Sequence, residues 1–528
     1  MPRLLRWRLP AMLEQNRAVW LSDAPRSDYP PLSRQVEVDV AVVGGGITGL
    51  STALALQRAG MRVAVLESNR IGCGVTGAST AKVTSLHGKI YSQLEEKHDR
   101  HVARIYADAN EYGLAQIAAF SEEAQALGFD CNFQRQPAVT YTLDARRVDE
   151  LHEEAAAAVR ARLDASFTTE TQLPFPVAGA VRLDNQAQFQ PYHYCLALAA
   201  AIANGGGPIF EMSRVLDVDG GSDEEPHLVQ AHAADVRARH VVIATLLPFL
   251  DRGGFFARAH ASRSYGIAVT LEGAAGEGMY IGIDEPVYST RRIEGNRMIV
   301  VGQQHKVGQD EDTRRRYAAL EQWTGERFSV VSVDHRWSAQ DFISADSLPY
   351  IGPLPLGGGR LWTATGFNKW GLTTAAFAAN ILSDLIQGRD NPWAATFSTT
   401  RGEVLASAKS MISENLNVAK RFIGDRLRSL SGTDLHALKR GEGAIVSGNG
   451  ERLAAYRDEA GAVHACSPIC THMGCYVQWN SAEKSWDCPC HGSRFDYQGQ
   501  ILQGPAVRPL EAKQVPGETN STTPASDS

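Results

Sequence analysis

Two stretches of this 528-residue sequence predict a mixed chain, with an α/β nucleotide-binding unit near the start and a small metal-binding domain near the end. The first is a strand–turn–helix–strand pattern over residues 36–67, with glycines at 44, 46 and 49. The second is the crowding of five of the eight cysteines between Cys466 and Cys490. Eight cysteines are too few for a secreted disulfide scaffold of this length. Their clustering instead points to metal.

Composition narrows the partners. A net charge of −7 gives no electrostatic pull toward nucleic acid or anionic lipid. The N-terminus is basic but lacks the apolar core of a secretion signal. No run approaches the eighteen or so apolar residues of a membrane span, so the expectation is a cytoplasmic chain without a membrane anchor.

Residues 1–35 read as a polar, proline-interrupted extension, with Trp7 and Trp20 as anchors onto a neighbouring surface. An apolar strand through Val38, Val40, Val42 and Val43 follows, then the glycine turn, an Ala/Leu-rich helix over Leu50–Ala59 and a second apolar strand over Val63–Leu66. Helical periodicity returns over His101–Leu127 and Val148–Leu163, and again after Pro191 until Gly205–Gly207. Strand-like runs are expected at Ser213–Val218, His240–Ala244, Tyr265–Leu271 and Met298–Val301. Leu372–Ile386 reads as a buried helix and Glu403–Arg428 as an amphipathic connector. The polar tail, 516–528, reads as disordered.

The turn G-x-G-x-x-G, Gly44–Gly49, lies directly after a strand and opens a helix. The first glycine permits the tight turn, the second lets backbone approach a pyrophosphate, and the third brings helix against strand. Glu67 ends the second strand at the spacing where a carboxylate binds ribose hydroxyls. Further along come Gly77-Ala78-Ser79-Thr80 and Val241-Val242-Ile243-Ala244-Thr245. Later still are Ser347-Leu348-Pro349-Tyr350-Ile351-Gly352-Pro353 and Gly366-Phe367-Asn368-Lys369-Trp370-Gly371-Leu372-Thr373.

With these motifs, residues 36–393 resemble the D-amino-acid-oxidase superfamily of flavoproteins, which includes glycine and sarcosine oxidases. The resemblance implies an α/β Rossmann-like FAD-binding domain, built from 36–90, 180–258 and 340–395, with an interleaved α+β substrate domain at 91–179 and 259–339. It implies FAD contacts from Gly44, Gly46, Gly49, Glu67, Ser79, Thr80, Val215, Gly352, Gly366 and Gly371. Thr373 or Thr374 stands where sarcosine-type members carry a substrate-binding lysine, a departure from the amino-acid-binding pattern. Lys82 is the candidate for a functional charge near the flavin. His87 is read as an ordinary loop histidine.

In the C-terminal cluster, Cys470-Thr471-His472 precedes Cys488-Pro489-Cys490-His491. One Cys and one His from each of two loops is what a [2Fe–2S] core with two thiolates on one iron and two imidazoles on the other requires. Two Cys and two His also suit tetrahedral zinc, although zinc ribbons rarely carry the extra paired cysteines. The segment 431–515 resembles the Rieske domains of the cytochrome bc and b6f type, down to Gly504-Pro505-Ala506, which is similar to their proline loop. The resemblance implies an all-β Rieske domain, joined through a linker helix at 396–430, with ligands Cys470, His472, Cys488 and His491 and the two histidines as its exposed tip. Cys475 and Cys490, left over in what read as equivalent places in the two loops, would close a disulfide that clips them together. Ser493 is placed to donate a hydrogen bond to a bridging sulfur, and Phe495 replaces a tyrosine hydroxyl, which should lower the potential within the Rieske range. Cys73, Cys131, Cys195 and Cys466 read as small core residues.

A flavin takes two electrons at a time and a Rieske cluster passes one. Together they imply an FAD-dependent oxidoreductase, a dehydrogenase of a small amine or amino-acid-like substrate, which hands electrons through the cluster to an external acceptor. A Rieske oxygenase would need a mononuclear iron site of two His and one carboxylate, and no D-x-x-H-type motif in a suitable domain supplies it. A non-enzymatic redox sensor or electron carrier is the alternative.

Overall fold

The computed structural model describes residues 17–401 and 433–515, apart from Asp23, 222–224, Asp251, Glu311, Leu356 and 449–450. The connector expected over 403–428, the 516–528 tail and Trp7 lie outside the described residues.

Val36–Val43 is the centre of the first sheet, parallel to Val63–Leu66 on one side and to Asp235–Ile243 on the other. Leu361–Thr365 extends the sheet in parallel beyond Asp235–Ile243, and Tyr350–Pro353 closes that edge antiparallel. Strands covered on both faces read as continuous apolar runs, and Val63–Leu66 is buried at all four positions. Helix Ile47–Arg58 packs on this sheet beside Gly371–Ile386. Helix Pro191–Asn204 starts where the Gln190 side chain accepts from the Tyr192 and His193 amides, and it stops at the glycine run.

A second sheet of nine strands runs from Val330–Ser344 through Ala259–Leu271 and Arg297–Lys306 to Gln134–Thr142, Gly179–Gln188 and Lys82–Val83. The boundaries expected at residues 180 and 340 are corrected here. They fall inside Gly179–Gln188 and Val330–Ser344, which belong wholly to this second sheet, as does the short strand at Lys82. Chain continuity through a ladder decides membership, and a single strand is not divided between domains.

Two four-stranded antiparallel sheets make the C-terminal domain, save for the short parallel pairing of Thr433–Asp434 with Gly443–Gly448. The second of these sheets, from Gln478–Asn480 to Ile501–Gln503, carries the Cys488–Ser493 loop between two of its strands. Trp486, Phe495 and Leu510 pack beneath the cysteines as this domain's own core.

Candidate functional site

A cavity of about 2160 Å³ lies at the carboxyl ends of the parallel strands. Gly44, Glu67, Ala244 and Gly366 each follow directly on one of those strands and line it. A Cβ on Gly44 would sit 2.4 Å from the Ala244 carbonyl oxygen, and one on Gly49 would sit 2.0 Å from that of Gly44. Only glycine permits this close approach of turn, helix and sheet. The helix that follows presents its free N–H groups to the cavity, and Thr76 Oγ1 takes one of them, from Ile47. Glu67 is held at the cavity wall by the Gly45 and Asn69 amides, at 2.7 Å each.

Gly46, Ser79, Thr80, Val215 and Gly371 also line the cavity. Ser79 Oγ is buried with no hydrogen-bond partner, an open donor at the wall. Two of the expected contacts stand outside the cavity: Gly49, which packs behind the turn on the Gly44 carbonyl, and Gly352, which lies within the edge strand Tyr350–Pro353, pairs with Thr363 and faces Thr399. Cys73 packs against the main core as expected and also lines the cavity, and burial pushes its thiol up to about 11.

Lys82 is buried, with Nζ donating to the Tyr280 carbonyl at 2.6 Å and to Ser289 Oγ. Burial, and then the neighbouring Arg291, hold its pKa well below the usual lysine range. Arg291 itself is buried and donates to the carbonyls of Thr80, Ala81 and Phe189, so it shapes the segment that carries Ser79 to Lys82. His87 is more than a loop residue. It stacks on Trp370 at 4.3 Å, bonds Tyr106 OH and the Thr84 carbonyl, and burial drops its pKa to about 3. Thr373 Oγ1 turns to Asn110 and the Thr84 carbonyl, and Thr374 Oγ1 to the Trp370 carbonyl. Lys369, inside a segment the sequence singled out but not itself chosen, lines the cavity and donates to Ser264 Oγ and Gln304 Oε1. Burial lowers it to about 8.

In the C-terminal domain the two loops fold alike. The Cys470 amide donates to the Cys475 carbonyl and the Cys488 amide to that of Ser493, both at 2.8 Å. The Gly474 and Gly492 amides return to the Cys470 and Cys488 carbonyls at 3.0 Å, each glycine at φ +73°. This pattern makes Ser493, not Cys490, the counterpart of Cys475, so the two disulfide cysteines do not occupy equivalent places. The disulfide forms between them all the same. The Cys488 sulfur lies within 4.8 Å of both disulfide sulfurs. The rings of His472 and His491 are 5.2 Å apart, and the Cys470 and Cys488 thiols are hydrogen-bonded to each other. Both nitrogens of His491 are buried with no hydrogen-bond partner. Orphaned imidazole nitrogens beside paired thiols fit a cluster with mixed Cys and His ligands. Ser493 Oγ accepts from the Ala506 amide at 3.0 Å and lends a hydrogen bond to Cys470. Phe495 is fully buried in its strand.

The expected exposed pair of histidines is corrected by domain packing. His472 is half-buried, but His491 is only 2% exposed, because its loop sits on the second sheet of the larger unit. Gln340 Nε2 donates to the Gly492 carbonyl at 2.9 Å, Pro489 packs on Gly308, and Phe256 meets the His491 ring edge-on at 5.5 Å. Beside this, Arg263 donates to Ser338 and Gln340 with its Nε 3.9 Å from Asp487, which Arg494 holds at 3.0 Å. Tyr317 OH donates to Glu483, and Thr313 Oγ1 to Asn480. Buried charges of both signs from both domains thus neutralise one another. Sequence reasoning missed Arg263, Gln340 and Arg291, because no local spacing marks a contact between distant strands.

A Rossmann-like unit with a glycine cradle, an interleaved antiparallel sheet and a clipped two-loop domain define a flavin and iron–sulfur oxidoreductase. The chain belongs to the FAD dependent oxidoreductase family, matched over residues 39–385, and carries a Rieske [2Fe-2S] domain over 433–516. It is 35% identical over 502 residues to YhfW of Bacillus subtilis (strain 168), described as a Rieske 2Fe-2S iron-sulfur protein, covering 94% of this chain and 97% of that one. It is 22% identical over 395 residues to the gamma-glutamylputrescine oxidoreductase of Escherichia coli (strain K12), covering 71% of this chain and 90% of that one. Glycine oxidase from Geobacillus kaustophilus has the same fold, with a TM-score of 0.58 at 19% identity, over 70% of this chain and 100% of that one. FAD and a [2Fe–2S] cluster are accordingly its cofactors. No helix among the described residues is long and apolar enough to cross a membrane.

Proposed function

We propose that this oxidoreductase dehydrogenates a small amine or amino-acid-like compound and delivers the electrons to an external one-electron acceptor. Bound FAD supplies the two-electron chemistry, and the cluster releases those electrons singly. The observation that carries the reading is the shared wall. Gln340 lines the flavin-side cavity and also donates to the Gly492 carbonyl in a cluster loop, so the two sites are neighbours in a packed interface.

FAD is assigned to the cradle of Gly44, Gly46 and Gly49, with Glu67 at the ribose and Ser79, Thr80, Val215, Gly366 and Gly371 along the wall. The cluster is assigned to Cys470, His472, Cys488 and His491. The relatives named for gamma-glutamylputrescine and glycine support a nitrogen-bearing substrate. Positions 373 and 374 hold no cation, and the ammonium groups at the cavity wall are those of Lys82, Lys89 and Lys369, of which Lys89 is paired with Glu150. Lys82, kept low in pKa by burial, is suited to holding or taking up a proton there.

The test is an anaerobic screen of amines, amino acids and hydroxy acids against the purified protein, following the flavin absorbance band. An amine or amino acid should bleach it, and Lys82→Met should slow that bleaching at least tenfold with FAD still bound. Bleaching by hydroxy acids alone would overturn the substrate class. If dithionite reduces the flavin but no compound does, the dehydrogenase reading fails.

A further inference from the structure

We infer that residues 17–22 and 24–33 form a strap that retains FAD, an element of the cofactor site contributed from outside the nucleotide-binding fold. The segment precedes the first strand of the sheet and could have run off into solvent. It crosses the cavity wall instead, with Arg17 and Leu21 lining one end and Arg26, Pro31 and Leu32 the other.

The ties at its two ends reach the cavity-lining residues Ser79 and Ser213. At the flavin-side end, Trp20 Nε1 donates to the Ser79 carbonyl at 2.8 Å, and the Arg291 guanidinium lies 5.0 Å over the Trp20 ring. Gln190 Nε2 donates to the Trp20 carbonyl. At the other end the Leu32 amide donates to Ser213 Oγ at 2.8 Å, and the Ser213 amide donates to the Glu67 carbonyl. Between them stands Glu211, fully buried, a carboxylate that accepts from Ser27 Oγ, the Tyr29 and Ile71 amides and Arg70. A buried carboxylate left without donors would be strongly destabilising, so the strap segment and the loop after Glu67 must both be in place around it. The Gly72 amide in that loop bonds the Gly45 carbonyl, which connects this knot to the glycine cradle.

Charge points to the ligand. Arg17 and Arg26 line the cavity and form no ion pair among the described residues. A dinucleotide brings two phosphates, and guanidinium groups suit them. The strap therefore supplies cations as well as cover, and the cofactor leaves only when the strap opens.

The test uses the full-length chain, stripped of FAD and then reloaded. Trypsin cleavage after Arg26 should slow at least tenfold when FAD is added. FAD should dissociate at least tenfold faster from Trp20→Ala and from the double variant Arg17→Gln/Arg26→Gln, followed by the return of free-flavin fluorescence on dilution. Arg17→Lys/Arg26→Lys should restore retention, and the cluster absorbance should stay unchanged throughout, which separates strap opening from misfolding. Cleavage at the same rate with and without FAD would overturn the inference. So would FAD retention in the double glutamine variant equal to that of the unaltered chain.

Discussion

The Cys470–Cys475 and Cys488–Ser493 loops share their backbone hydrogen bonds and the φ of their glycines, yet they live in different surroundings. Around the first loop, Ile469 and Met473 are 43% and 39% exposed. The second loop is covered by Ala261, Gln340 and Gly308 of the larger unit. Local sequence sets the shape of a cluster loop, whereas the partner surface decides which of its ligands meets solvent. Under the proposed ligand assignment, the half-buried His472 is the histidine nearer solvent, and His491 faces the flavoprotein.

The comparison can be broken most severely at a ligand. Cys488→Ser or His491→Ala should abolish the cluster, with the roughly two irons and two labile sulfides per chain lost in chemical assay while FAD stays bound. Next comes the clip. Cys475→Ser should lower the thermal stability of the Rieske domain by about 3 kcal/mol, the loop-closure value for a bridge of this span, and leave part of the cluster in place.

The glycines sharpen the contrast further. A Cβ at Gly492 would lie 2.5 Å from Gln340 Nε2 and 2.6 Å from the Ala261 Cβ, whereas one at Gly474 meets nothing within 4 Å. Gly492→Ala should cost about 2 to 3 kcal/mol, summing left-handed strain and overpacking, and should expose the interface to proteolysis. Gly474→Ala should cost about 1 kcal/mol, from the backbone alone, with the interface still protected. Equal costs in thermal melts of the two variants would show that docking adds nothing to the second loop.

What was legible in the sequence was chemistry with a short period. The cradle of Gly44, Gly46 and Gly49 and the ligand spacings of the two loops each fit within a few residues, so their geometry follows from local backbone rules. The burial of His491 did not, because it depends on Ala261 and Gln340, more than 150 residues away in the chain. The strand Val330–Ser344 leaves little signal in the sequence, because its first half mixes three valines with Ser332, Asp334, His335 and Arg336 and buries none of them fully, which hides the alternation of a half-buried strand. Gly352 falls outside because the two closing segments are not one structural unit: 366–373 reaches the cavity and 347–353 does not. Lys369 lay within a segment already singled out, but its role at the wall follows from its partners Ser264 and Gln304.

The pairing of Val36–Val43 with Asp235–Ile243, and of that strand in turn with Leu361–Thr365, has a consequence for biosynthesis. During translation the first strand emerges about two hundred residues ahead of its neighbour, and the cavity lacks a wall until Gly366–Gly371 leaves the ribosome. Such long-range pairings close slowly, and the nascent chain carries an apolar, half-finished sheet through most of its synthesis. The Rieske domain, contiguous and downstream, emerges when the surface of Ala261, Gly308 and Gln340 that receives it has already been made.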